Sequence, residues 1–255
     1  MTTANARGAT AAGDGHSGNG HSEFDFWRDH SRVNLSPIAA PSILGLYGFA
    51  VATFMVAAYL ADWYGTALTP LILFPFCLAF GGIAQFLAAM WSYRARDAVA
   101  TAMHGAWGSF WIGFGIYHLL IAIGTLPSPT SGPVAATSYG FWFIGLAAVT
   151  WAGAFAALAE NISLSLVLLT LAAGSTLLAV ALTMGLPTVE VIGALVLIAS
   201  AVLAWYTATA MMLEAAFKRV ILPLGKRGAE PDAPGKAPKG AIQYQVGEPG
   251  IKIGQ

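Results

Sequence analysis

Histidine and tryptophan side chains recur along one apolar stretch in the middle of the chain. His104, Trp107, Trp111 and His118 follow one another at spacings of three, four and seven residues, which align their side chains on one stripe of an α-helix. If this stretch crosses a membrane, an ionisable side chain within it costs free energy, and such a residue by default indicates a functional role. Two histidines on one helix could also ligate haem, but haem needs facing histidines on a second helix. No other apolar stretch contains a histidine, which disfavours haem ligation.

The two histidines also have simpler structural interpretations. His104 falls at the end of its apolar stretch. If that stretch spans a membrane, water among the lipid headgroups would solvate His104, and we adopt this structural interpretation for it. His118 is left open between a hydrogen bond to a neighbouring carbonyl and a functional role. Gln85 lies in the middle of another apolar stretch, where its amide must bond another helix or line a polar path.

Acidic side chains are absent from the middle of the apolar stretches. Three glutamates lie at the ends of the apolar stretches, namely Glu160, Glu190 and Glu214. This position argues against a pump driven by a buried carboxylate relay. The chain also lacks a phosphate-binding glycine loop, a CxxC pair and a supported Ser/His/Asp set. We therefore expect neither an enzyme nor a cofactor or metal site. A passive or weakly coupled conduit for a small solute fits these residues better.

The apolar stretches determine the class of protein. Of 255 residues, 57% are hydrophobic and 9% are charged, which is too little charge to coat a soluble domain of this size. The apolar stretches reach the length that crosses a bilayer, about twenty residues. They predict an all-α integral membrane protein with six transmembrane helices, over residues 42–61, 68–91, 105–126, 137–158, 162–184 and 191–213.

The basic residues predict the orientation. All twelve Lys and Arg residues lie within the first 32 residues, at Arg94 and Arg96, or from Lys218 onward. Cytoplasmic loops keep Lys and Arg whereas translocated loops lose them, so we expect both termini in the cytoplasm and the chain in the inner (plasma) membrane. The expected organisation is a disordered and interfacial segment at 1–39, with membrane-surface aromatics at 24–27, a membrane domain at 40–224 and a disordered cytoplasmic tail at 225–255.

Four short stretches carry recognisable motifs. They are residues 44–49 (LGLYGF), 80–85 (FGGIAQ), 108–111 (GSFW) and 217–225, which contains FKR and LPLG. Together and in this order they resemble the acetate uptake transporter family, which has bacterial and fungal members. The resemblance covers residues 40–225, which is the whole predicted membrane domain.

The resemblance implies six helices per protomer, a symmetric homohexamer and a separate solute path through each protomer. It also implies a hydrophobic constriction formed by Phe49 on the first helix, Trp107 on the third and Leu171 on the fifth. Trp107 stands where the family usually has a tyrosine, so the ring is bulkier here. Residues 40–46 read APSILGL for the family's NPAPLGL, and Ser92 replaces a glutamate. These departures bear on substrate preference and gating rather than on the fold.

Two further groups of residues complete the predicted site. Hydroxyls, aromatic edges and an amide along a narrow path can replace part of a carboxylate's hydration shell, and small residues let helix backbones approach closely in lipid. The predicted path residues are Thr53, Gln85, Ser109, Trp111, Thr170 and Tyr206, and the predicted close-packing residues are Gly45, Gly48, Gly81, Gly82 and Gly108.

These features predict membrane transport of small monocarboxylates, acetate first with succinate as a further candidate. The expected partners are the carboxylate, the lipid bilayer and further copies of the chain, without nucleic acid. Passive flow and proton symport both stay open. One alternative is a non-transporting membrane anchor that binds a redox cofactor through His104 and His118. The other is an ammonia or ammonium conduit, for which the chain lacks paired mid-membrane histidines.

Overall fold

The computed structural model describes residues 38–226, and this part of the chain is all-α. Six helices are long and apolar enough to cross a membrane, which confirms the predicted fold class. The predicted terminal segments, with the aromatics at 24–27, lie outside the described residues except for their innermost positions. The helices are α1 (Ser42–Leu60), α2 (Thr69–Ala95), α3 (Ala98–Ala122), α4 (Pro133–Ala157), α5 (Ile162–Met184) and α6 (Pro187–Phe217).

The six helices form one bundle whose described ends lie on the same side. Helices that follow one another in the chain contact one another, and α6 returns to pack against α1 as well as α5. An even number of spans brings the chain back to the side on which it started. We call this the terminal side, and the opposite one the far side.

Short polar residues and prolines set the helix ends. The Asp97 side chain accepts a hydrogen bond from the backbone N–H of Ala100 at 2.8 Å and caps the start of α3. Asn161 does the same for α5, through the N–H of Leu164 at 2.8 Å. Helix α3 therefore begins seven residues before the predicted span at 105, because a capping side chain and not the onset of apolarity starts the helix.

Helix α2 is irregular in its middle third. It is α-helical over Thr69–Phe76, π-helical over Cys77–Ala84 and α-helical again over Gln85–Ala95. Pro75 has no N–H to donate, and π-helical segments occur mostly at functional sites. The π-helical segment contains Gly81 and Gly82 and ends immediately before Gln85, whose side chain is fully buried. The FGGIAQ motif therefore marks a change in helix geometry that periodicity did not predict.

The predicted close-packing glycines lie where α1, α2 and α3 meet. A methyl group at Gly81 would lie 2.5 Å from Ala52 Cβ on α1 and 2.8 Å from Trp111 Cγ on α3. Such distances leave no room for a side chain, so the helix backbones approach through these positions. The other four contacts join Gly45 to His104, Gly48 to Phe80, Gly82 to Ile112 and Gly108 to Phe86.

The chain after α6 folds back along the terminal side. The backbone carbonyls of Leu224 and Gly225 accept hydrogen bonds from the N–H groups of Ser163 and Ile162, both at 3.0 Å. Lys226 forms a salt bridge with Glu214 at 2.8 Å. We call residues 223–226 the return segment. It fastens the start of α5, and it extends the structured chain beyond the predicted boundary at 224.

Candidate transport pathway

A small cavity enters the bundle from the terminal side. Its volume is about 70 Å³. The starts of α1, α3 and α5 and the end of α6 surround it, because Ser42, Asp97, Asn161 and Thr207 all line it. Its deeper wall is apolar. All three predicted constriction residues, Phe49, Trp107 and Leu171, belong to that wall.

A larger cavity enters from the far side. Its volume is about 550 Å³. It lies between the far ends of α1 and α3, the connection before α4 and the α5–α6 turn, and its wall is rich in aromatic rings. The aromatic lining residues include Tyr59, Trp107, Phe110, Trp111, Phe114, His118, Tyr139 and Phe143.

Trp107 separates the two cavities. Within residues 38–226 it is the one residue that lines both. The Phe49 ring meets it edge to face, with ring centroids 5.7 Å apart and planes at 75°. Phe49, Trp107 and Leu171 are each at most 2% exposed. The structure thus brings the three predicted constriction residues together at the base of the terminal-side cavity, and we call this contact, at which the two cavities are separated, the closed point.

A threonine on α4 fixes the Trp107 indole. Trp107 Nε1–H donates a hydrogen bond to Thr150 Oγ1 at 3.1 Å. The Thr150 hydroxyl in turn donates to the carbonyl of Leu146 at 2.6 Å. Sequence reasoning missed Thr150, because a lone threonine in an apolar span has no pattern that would single it out.

Three buried polar atoms around Trp107 have no hydrogen-bond partner within the described residues. They are Thr53 Oγ1 on α1, Gln85 Oε1 on α2 and Trp111 Nε1 on α3. Gln85 lines the terminal-side cavity, and Thr53 and Trp111 line the far-side cavity. Buried polar groups without partners are rare and costly. These three predicted path residues therefore line the cavities on either side of the closed point, and each carries a buried polar atom without a partner in the described part of the chain.

The other three predicted path residues line neither cavity. Ser109 donates to the Gly105 carbonyl at 2.7 Å, and Thr170 donates to the Leu166 carbonyl at 2.7 Å, each within its own helix. Tyr206 donates to the Pro223 carbonyl in the return segment at 2.7 Å. Ser109 lies two positions after Trp107, which turns its side chain to another face of α3. These three hydroxyls therefore donate to backbone carbonyls and line neither of the two cavities.

Both histidines of α3 are buried. His104 was expected in headgroup water, but it is 5% exposed and lines the terminal-side cavity. Its ring lies directly over Gly45, where a methyl group would come within 2.5 Å. His118 lines the far-side cavity, and its Nδ1–H donates to the carbonyl of Phe114 at 2.9 Å. The carbonyl bond considered for His118 is therefore present, whereas the expectation for His104 was wrong.

A carboxyl group stands at the mouth of the terminal-side cavity. Glu160 lies in the turn between α4 and α5, outside the membrane-spanning helices. Burial disfavours its charged form, and the Asp97 carboxylate adds repulsion, so the pKa of Glu160 rises from 4.5 to about 7. At neutral pH this group therefore exists in both protonation states.

Six membrane-length helices with a cavity on each side of a closed point define a multi-pass membrane protein of the channel or transporter class. The chain belongs to the GPR1/FUN34/yaaH family, whose sequence profile matches residues 26–224. The resemblance drawn from the four motifs is thereby confirmed.

The individual relatives share less than a third of the aligned residues with this chain. Ammonia transport outward protein 2 of Saccharomyces cerevisiae is 27% identical over 173 residues, which is 68% of this chain and 61% of the yeast protein. This chain therefore matches less than two thirds of that relative's length. An uncharacterised protein of Methanothermobacter thermautotrophicus is 31% identical over 102 residues, 39% of this chain and 47% of that one.

A solved structure shares the fold. The bacterial acetate channel SatP superposes with a TM-score of 0.67 at 23% sequence identity, over 74% of this chain and 99% of that one. At this identity the likeness supports the architecture of the chain and nothing further.

Proposed function

We propose that this protein conducts small carboxylates across a membrane, with the monocarboxylate acetate as the preferred solute and the dicarboxylate succinate as a further candidate. The observation that carries the proposal is that Trp107 lines both cavities. A solute that moves from one side to the other must pass this indole. The solved relative of the same fold is named an acetate channel, which favours acetate over other small solutes.

The free polar atoms around Trp107 suit a carboxylate. A carboxylate only accepts hydrogen bonds, and an indole N–H, a threonine hydroxyl and a glutamine amide can all donate. Trp111 and Thr53 offer such groups on the far side, whereas the unpartnered atom of Gln85 on the terminal side is Oε1, which accepts hydrogen bonds. The rings of Phe49 and Trp107 give the methyl group of acetate an apolar surface, and a closed apolar point gates by excluding water.

Charge at the terminal-side mouth makes conduction depend on protonation. Within residues 38–226, the lining side chains include two carboxyl groups, Asp97 and Glu160, and neither Lys nor Arg. Two negative charges repel a carboxylate. Protonation of Glu160 removes one of them, so carboxylate conduction is favoured when Glu160 is neutral. This supports conduction sensitive to protons without requiring that a proton move with each anion.

The proposed assembly is a symmetric hexamer in the inner (plasma) membrane with both termini in the cytoplasm, so that the terminal side faces the cytoplasm. Large apolar side chains such as Phe141, Trp142 and Phe155 are exposed on the outer face of α4, where lipid or a neighbouring protomer would cover them. Native mass spectrometry in mild detergent tests this assembly. Hexamers are expected, and a purely monomeric spectrum would contradict it.

Ammonium is the second candidate solute. The same two carboxyl groups that repel an anion would attract a cation, and the yeast relative is named an ammonia transport protein. The free indole N–H of Trp111, which can only donate, favours an anion instead.

Uptake by proteoliposomes separates the candidates. Purified protein is reconstituted and offered labelled acetate, succinate or methylammonium, with protein-free liposomes as the control. We expect acetate uptake above the control, with or without an imposed proton gradient. Methylammonium uptake without acetate uptake would replace the carboxylate proposal with the cation proposal.

A further inference from the structure

We propose that Thr150 is a positioning residue that sets the size limit of the conduit, because it holds the Trp107 indole across the path. The inference rests on the proposed function for its consequence in transport, and on the Trp107–Thr150 hydrogen bond for its structural basis.

The hydrogen bond can run in one direction only. The Thr150 hydroxyl proton is donated to the Leu146 carbonyl at 2.6 Å, so the oxygen has lone pairs left for Trp107 Nε1–H, which approaches to 3.1 Å. An indole nitrogen can donate but not accept. Thr150 is fully buried and water does not reach it. Helix α4 therefore offers Trp107 a fixed acceptor, anchored in turn to the backbone of α4.

Apolar contacts alone leave the orientation of the Trp107 ring less well defined. Its ring meets Phe49 at 5.7 Å and Phe110 at 5.3 Å between centroids, both edge to face. Such contacts favour edge-to-face packing, but they do not by themselves fix the direction in which the indole N–H points. The hydrogen bond selects the orientation in which Nε1 points towards α4, and this places the rest of the indole between the two cavities.

The two tryptophans of the α3 stripe therefore differ in role. Trp107 Nε1 is committed to Thr150, whereas Trp111 Nε1 is buried without a partner within the described residues. The committed indole blocks the path, and the uncommitted one is available to the solute. Removal of the Thr150 acceptor should therefore change the orientation of Trp107 and leave that of Trp111 unchanged.

The chain contains a matched pair for comparison. Trp151 Nε1–H on α4 donates to Thr176 Oγ1 on α5, also at 3.1 Å. The Thr176 hydroxyl likewise donates within its own helix, to Ala172 at 2.8 Å. Neither residue lines a cavity, and the pair is more exposed. Thr176→Val thus removes the same kind of bond without touching the path.

The transport experiment compares butyrate with acetate uptake in proteoliposomes. The ratio of butyrate uptake to acetate uptake does not depend on how much protein is reconstituted. Thr150→Val keeps the branched shape and removes the acceptor, and we expect the butyrate-to-acetate ratio to rise about tenfold, the change that loss of one buried hydrogen bond produces. Thr150→Ser should restore the wild-type ratio, and Thr176→Val should leave it unchanged. An unchanged ratio in assembled Thr150→Val protein would overturn the proposal.

A spectroscopic measurement tests the positioning role independently of any solute. The chain is labelled with 5-fluorotryptophan, and the ¹⁹F resonance of Trp107 is assigned with Trp107→Phe. Thr150→Val should shift or broaden this resonance, and Thr176→Val should move only that of Trp151. If Thr150→Val does not assemble, Thr150→Ala replaces it. A Trp107 resonance that stays unchanged refutes the positioning role, whereas a wild-type protein that fails to take up acetate refutes only the proposed function.

Discussion

The rings of Phe49 and Trp107 meet edge to face at 5.7 Å between centroids, at the base of the terminal-side cavity. They join α1 to α3, and Leu171 of α5 lines the same cavity. Under the proposed function, small changes in the orientation of these rings open or close the conduit. The closed point is thus formed by three helices rather than by a loop.

Transport should depend on the protonation of Glu160. Its pKa is raised to about 7, first by burial and then by Asp97. As the pH on the terminal side falls through 7, the negative charge is lost and carboxylate uptake should rise. Glu160→Gln should keep uptake high across this range. A wild-type pH profile that persists in Glu160→Gln would contradict the role of Glu160.

The same carboxyl group should make stability depend on pH. In the unfolded chain its pKa is near the usual 4.5, and in the folded protein it is about 7. Between these values the folded state binds more protons, so stability falls as pH rises. The melting temperature of the wild type should decline more over this range than that of Glu160→Gln. Equal slopes for the two proteins would show that Glu160 is not buried as described.

The contact at Gly81 should tolerate no side chain. A methyl group there would lie 2.5 Å from Ala52 Cβ, and overpacking of this kind costs about 1–3 kcal/mol. Gly81→Ala should therefore lower the melting temperature in detergent. Gly145 on α4 has no neighbouring atom within 4 Å of such a methyl group, so Gly145→Ala should be neutral or slightly stabilising. Equal melting temperatures for the two variants would contradict the close approach of α1 and α2.

The two ends of the bundle should label from opposite sides of the membrane. Ser131 is exposed on the far side, and Lys226 lies on the terminal side. A membrane-impermeant thiol reagent added to intact cells should label Ser131→Cys, and should label Lys226→Cys only after permeabilisation. The native Cys77 is buried and should remain silent. Labelling of Lys226→Cys alone in intact cells would reverse the proposed topology.

The number and order of the spans could be predicted from the sequence because length and apolarity alone decide whether a helix crosses a bilayer. Helix ends were less well predicted. The cap and the first two turns of α3 carry Asp97, Thr101 and His104, and this polarity hid the beginning of the helix. His104 was consequently assigned to headgroup water although it lies inside the bundle.

The residues that line the two cavities could be predicted only in part. Thr53, Gln85 and Trp111 line cavities, whereas Ser109 and Thr170 do not. All are polar or aromatic residues in apolar spans, and they differ in how their helices are rotated within the bundle. Packing between helices sets this rotation, and the π-helical segment of α2 changes it again just before Gln85. The spacing of apolar residues in a single sequence does not reveal this rotation.

The most direct test of the account is the size selectivity of Trp107→Ala in proteoliposomes. Removal of a buried tryptophan destabilises a protein by about 3–5 kcal/mol, so only assembled protein is compared, with Trp151→Ala as the matched control away from the cavities. Trp107 separates the two cavities, and we propose that the solute passes it. We therefore expect faster acetate uptake and admission of butyrate in Trp107→Ala but not in Trp151→Ala. Acetate flux and a size limit identical to those of the wild type would show that the path does not pass Trp107.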